Sequence, residues 1–163
     1  MFDVAPSQLQ EVDLFEEAAI VVQSIREQAL SKAQQLAKEY SDKRTELQLS
    51  AGDSFIALAL VVRARNDNRS IQILWQNQHY RGRKLVGGSD VSGKKRGESG
   101  YDLSKLTSPA PAWSKELVKE YELKAREIRE ALLRLTEVDD ALKVVTRRLK
   151  KLEQPPELDD GAL

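Results

Sequence analysis

Between Arg63 and Arg96 the chain carries nine basic side chains and two acidic ones. The basic ones are Arg63, Arg65, Arg69, Arg81, Arg83, Lys84, Lys94, Lys95 and Arg96. Each can neutralise a phosphate oxygen. Contacts of that kind give an affinity that falls with salt and depends little on base sequence. Six of the eight glycines lie between Gly82 and Gly100, where they allow close approach to a phosphate backbone. Clustering of cations with glycine points to nucleic acid. A solvated basic loop that pairs with acids elsewhere in the chain is the plain alternative.

Other chemistries fit poorly. Gly88 to Lys95 has the glycine and lysine spacing of a nucleotide-binding loop. Lys95, however, stands where a Ser or Thr must hold magnesium, and Gly97 and Gly100 oppose the helix that must follow. His79 is the only histidine and there is no cysteine, so a multi-histidine metal site, a thiolate centre and a disulfide framework are all excluded. The acidic pairs Glu16-Glu17, Asp139-Asp140 and Asp159-Asp160 are adjacent in sequence, and on a helix neighbours diverge by about 100°. They read as solvated faces. Trp75 and Trp113 read as core anchors. The chain is expected to be non-catalytic and to need no cofactor.

Periodicity gives the elements that must hold the basic segment. Apolar or small residues recur at Val12, Ala19, Val22, Ala29, Ala33, Leu36, Tyr40 and Leu47, which predicts an amphipathic helix over residues 7–50 with Ser7 as N-cap. A second stripe runs through Val118, Tyr121, Ala125, Ile128, Leu132, Leu135, Val138, Leu142, Val145, Leu149 and Leu152. It predicts a helix over 114–153, coiled-coil-like, with one slip of rhythm at Leu135–Val138–Leu142. Between the helices the period falls to 2. Two strands over 54–84, turning at Asp67-Asn68, set Ala64 opposite Ile71, Val62 opposite Ile73 and Leu60 opposite Trp75. One face is then apolar, and the other carries Arg63, Arg65, Gln72 and Gln76. Residues 85–113 read as a basic glycine-rich loop, or a bent ribbon continuing the hairpin, followed by a connector. Residues 154–163 read as a loose acidic tail.

Net charge is zero, but its distribution is uneven. Residues 1–53 hold 5 basic and 10 acidic side chains, residues 54–105 hold 10 and 4, and residues 106–163 hold 11 and 12. The positive charge sits in the middle. The start has no basic and apolar regions of a secretory signal, and the longest apolar run, Phe55 to Val62, is far short of the ~20 residues that span a bilayer. A cytoplasmic protein with no membrane partner is expected.

The block Tyr101-Asp-Leu-Ser-Lys-Leu106, then Ala112-Trp113, Leu117-Val118, Glu122 and Ile128-Arg129-Glu130, resembles the MobI-like proteins of conjugative plasmids and integrative elements. So does Ser70-Ile-Gln-Ile-Leu-Trp75 followed by a basic loop. The resemblance covers roughly residues 55–135. It implies a mobilisation auxiliary protein that acts on double-stranded DNA at the origin of transfer, beside a relaxase or another conjugation protein. The lone histidine agrees that any nicking belongs to that partner.

The expectation is an α+β chain, a single elongated domain over 1–163. Two long antiparallel helices, paired within the chain or with a second copy, flank a β-hairpin and a basic loop. The competing expectation is a coiled-coil adaptor whose basic hairpin meets an acidic protein surface.

Overall fold

A computed structural model describes residues 13–52, 57–92, 94 and 98–153. The expected Ser7 cap, the strand residues Phe55 and Ile56, the loop residues Gly93, Lys95 and Arg96, and the acidic tail lie outside them.

The first helix, α1, is Leu14–Ala51. It starts later than the periodicity predicts because Asp13 caps it. The Asp13 carboxylate accepts from the amides of Phe15 at 3.0 Å and Glu16 at 3.3 Å, satisfying donors that the first turn leaves open. The last long helix is Lys115–Glu153, at the position expected from Ser114. Two short elements precede it, a helical turn over Leu103–Thr107, which we call α2, and a 3-10 turn over Ala112–Ser114. The long C-terminal helix is α3. The long helices run antiparallel within one chain: Lys43 pairs with Glu120, Tyr40 stacks edge-on against Tyr121, and Arg26 pairs with Asp139.

The strands are β1 (Leu58–Arg65), β2 (Ser70–Arg81) and β3 (Lys84–Asp90), in the order β1-β2-β3. The β1–β2 register is the expected one: Leu60 faces Trp75, Val62 faces Ile73 and Ala64 faces Ile71. Its turn puts Asn66, Asp67 and Asn68 at positive φ, a region that Asn and Asp tolerate better than other side chains. The Arg69 amide closes it on the Asn66 carbonyl at 3.0 Å.

The glycine-rich stretch corrects the first sequence expectation. Residues 84–90 are not a loop but a third antiparallel strand, so the hairpin ends at Arg81 and Lys84 opens β3. Gly82 at φ 62° supplies the tight two-residue turn between them. The sheet is staggered. β1 covers β2 from Ser70 to Asn77, and β3 covers it from Gln76 to Arg81, so all three strands overlap only at Gln76 and Asn77.

One sheet face packs on the helices. Trp75, Ile73, Leu58 and Leu60 meet Ala33, Leu36 and Tyr40 of α1 and Val118, Tyr121 and Ala125 of α3. Trp75 is fully buried, edge-on to Tyr40 at 4.9 Å. The Tyr40 hydroxyl donates to the Leu58 carbonyl at 3.0 Å, and burial raises its pKa, so it stays a donor.

At the centre of this core lies a charge cluster. The carboxylate of Glu122, 0% exposed, accepts from Trp75 Nε1 at 2.7 Å, the Tyr101 amide at 2.7 Å, and Arg129 Nη1 and Nη2 at 3.1 and 2.9 Å. Arg129, also buried, spends its other donors on the carbonyls of Ile73 at 2.8 Å and Ser99 at 2.7 Å. Sheet, connector and α3 are thus joined at one carboxylate. A buried charge pair is tolerated when its remaining hydrogen-bond capacity is used, as it is here.

Candidate nucleic-acid interface

The sheet has a second face that the helices do not cover. Alternation puts Arg63, Arg65, Gln72, Leu74 and Gln76 there, with Asp90 of β3 opposite Gln76. Arg63 forks onto Asp90 with bonds of 3.1 and 2.9 Å, and Gln76 Nε2 adds a third bond to the same carboxylate at 3.2 Å. The clasp ties β1, β2 and β3 together across the short zone where they overlap. The Arg63 hydrogen bonds, followed by that of Gln76, hold the Asp90 carboxyl below its ordinary pKa. Its contribution to stability is therefore full above the ordinary carboxylate range and is lost as pH falls through the lowered value. Gly88 lies under Gln76, and a Cβ there would come within 2.5 Å of the amide carbon, so β3 has a glycine where the clasp crosses it.

The nine basic residues do not form one patch. Arg65 and Arg69 are exposed at the hairpin tip, and Arg81, Arg83 and Lys84 are exposed at the opposite end of β2, where alternation sets Arg81 and its cross-strand partner Lys84 on the Trp75 side of the sheet. None of these five has an ion pair among the described residues. Arg63 stands apart because its guanidinium is already held by Asp90. Lys94 returns alongside β2 and lines a recess with Ile71, Ile73 and Arg129. Desolvation there, and then the Arg129 charge, lower its pKa. Lys95 and Arg96 fall outside the described residues.

The two exposed groups are separated by the 12 residues of β2. The 11 steps from Ser70 to Arg81, at about 3.3 Å each, span roughly 36 Å. One turn of duplex DNA measures about 34–36 Å. At the tip, Val61–Arg65 and Ser70–Leu74 form a two-stranded ribbon without β3. A ribbon of that width enters a major groove, whereas three strands side by side fit less well.

Sequence reasoning missed the role of Asp90. The signal was available, since it is one of two acids in a strongly basic segment. The clasp gives a direct prediction. Asp90→Asn removes a negative charge from the face and frees Arg63. Affinity for duplex DNA should rise, and the slope of log K against log salt should steepen by about 0.9, the value of one further phosphate contact. Fluorescence anisotropy over a salt series measures both, and an unchanged slope would place Arg63 away from the bound surface.

Glu16, Glu17 and Asp140 are exposed, as expected of solvated faces, whereas Asp139 is half-buried against α1 and Asp159-Asp160 lies outside the described residues. Asp139 and Asp140 point to Lys143 on their own helix, and Asp139 also meets Arg26. His79 lies at the sheet edge, 3.2 Å from the Ser89 hydroxyl. Among the described residues no group of three His, Cys, Asp or Glu could hold a metal ion, and no helix is long and apolar enough to cross a membrane.

No curated protein and no solved structure matches this chain. One family model does: the model described as MobI protein matches residues 14–143.

Proposed function

The chain belongs to the MobI family, which makes it a mobilisation-related protein, and on that footing we propose that it is a non-catalytic DNA-binding auxiliary of conjugative transfer. It binds double-stranded DNA at or near the origin of transfer and assists a relaxase. Its place of work is the cytoplasm, where the duplex is. The observation that carries the reading is the pair of exposed cation groups, without ion pairs among the described residues, about one helical turn apart along β2.

The duplex lies along β2. Arg65 and Arg69 at the hairpin tip take phosphates at one end, and Arg81, Arg83 and Lys84 take phosphates about one turn away. These contacts set position and strength. Between them the uncovered face offers Gln72, which is exposed, and Gln76, which is shared with the clasp. Glutamine amides can address base edges bidentately. No hydrolytic step is assigned to this chain, so strand cleavage falls to the relaxase.

Duplex length tests this reading. Affinity for random duplexes should rise sharply between about 6 and 14 base pairs, as the second cation group gains phosphates, and then level off apart from the statistical gain in sites. Origin DNA should bind more tightly than random DNA of equal length. No binding at low salt, with an acidic protein captured instead, would replace this reading with the adaptor one.

A further inference from the structure

The hairpin tip ends part-way along the helix pair. Gln23 of α1 donates to the Asp67 carbonyl in the turn at 3.2 Å, and Thr136 of α3 lines a recess beside Ile71–Leu74. Past those levels α1 and α3 continue together, with Phe15 and Ala19 lining one groove with Leu142 and Thr146. Among the described residues no strand lies beside this projecting part.

Its surface is unusually apolar. On α1, Leu14 and Val21, seven apart, are exposed, and so is Ile20. On α3, Val138, Val145, Leu149 and Leu152 are exposed at spacings of 7, 4 and 3, with Leu152 at 81%. The slip in the α3 rhythm explains why they face outward. Leu132 packs against the core, and Leu132 to Val138 is six residues, which at 3.6 per turn leaves the stripe roughly 120° short of two turns. Before the slip the stripe faces the sheet and α1. After it, Leu142 still turns into the groove with α1, but Val138, Val145, Leu149 and Leu152 keep 3-and-4 spacing on a face that no described residue covers. A stripe that keeps coiled-coil spacing where none of the described residues covers it is an interaction surface.

We propose that this face is a self-association surface, on which a second copy of the chain lays its own helix pair to form a four-helix bundle. Charge selects the occupant. At the end of the projecting part α1 carries Glu16 and Glu17, and the last turns of α3 carry Arg147, Arg148, Lys150 and Lys151, with the acids Glu137, Asp139 and Asp140 of α3 lying nearer the sheet. These four cations have no ion pair among the described residues. A two-fold contact sets a surface against itself, so a patch of one sign would repel its copy. Here the first turn of α1 is acidic and the last turns of its neighbour α3 are basic. A two-fold mate brings acid to base on both sides at once. A polyanion is a poorer fit, because Glu16 and Glu17 sit at the same tip.

Self-association is measured without DNA, so its outcome is separate from that of the DNA reading. Light scattering on the eluting full chain should give twice the chain mass at micromolar concentration. Val145→Glu with Leu149→Glu should give the single chain mass. Both residues are exposed, so the thermal transition of the monomer should keep its cooperativity. Glu16→Lys with Glu17→Lys should also dissociate the dimer, and adding Arg147→Glu with Arg148→Glu should restore it. A parent that stays monomeric, or a dimer that survives the Val145/Leu149 change, overturns the proposal. So does a monomeric parent in which that change abolishes only relaxase binding.

Discussion

Glu122→Ala should destabilise the protein by about 3–5 kcal/mol, the loss seen when one partner of a buried ion pair is removed. For a chain of this size that is a fall in Tm on the order of 10 °C. The reason is the inventory of donors left behind. Arg129 would keep its bonds to the Ile73 and Ser99 carbonyls, but its charge would have no counter-charge in the core. The Trp75 indole and the Tyr101 amide would each lose their 2.7 Å acceptor, and buried donors without acceptors are themselves costly. Glu122→Gln keeps an acceptor and should cost less. Glu122→Leu combined with Arg129→Met removes both charges and should be far milder than either single change. Thermal and urea unfolding of the four proteins form a double-mutant cycle. Additive losses at the two positions would show that the pair does not act as a unit.

Removing the five exposed cations together, Arg65, Arg69, Arg81, Arg83 and Lys84, each to alanine, should nearly abolish duplex binding at physiological salt while leaving the fold intact. Each phosphate contact adds about 0.9 to the slope of log K against log salt, so the slope should flatten by about 4 to 5. Either end alone should account for about half of that change. The variant should unfold like the parent, since these side chains are exposed and unpaired among the described residues. A five-alanine protein that binds with the parent's salt slope would move the interface off the sheet.

The β1–β2 hairpin was readable from sequence down to its pairings, because a period of 2 with one buried face allows a single register. The third strand was not committed to, because glycine content argues for a loop. What prevails is the backbone of β2. It has 12 residues against the 8 of β1, and its amides and carbonyls beyond Asn77 need partners that β3 supplies. Gly82-Arg83, with glycine first in a two-residue turn, was the local cue.

The buried charges were hidden by residue type rather than by spacing. Val118, Glu122, Ala125, Arg129 and Leu132 follow steps of 4, 3, 4 and 3, so both ionic residues lie on the apolar stripe. Arg26 likewise falls on the α1 stripe between Val22 and Leu30, and it too is buried. The basic residues could be read from sequence only as one set; their partition depends on the β2 length and on Asp90. Neither can be weighed until the strands are placed.

The Glu122 carboxylate also imposes an order on how the chain can be made. Its donors come from residues 75, 101 and 129, and the residues that cover Trp75 and Ile73 include Val118, Tyr121 and Ala125. On a ribosome the sheet, Trp75 included, emerges well before Tyr101, Arg129 and the α3 residues that cover it. The apolar face of β1 and β2 then has only α1 to shelter it, and the native core cannot close until Arg129 has left the exit tunnel. Productive folding is thereby deferred until α3 has emerged, and until then the nascent chain carries an incomplete core that chaperones can recognise.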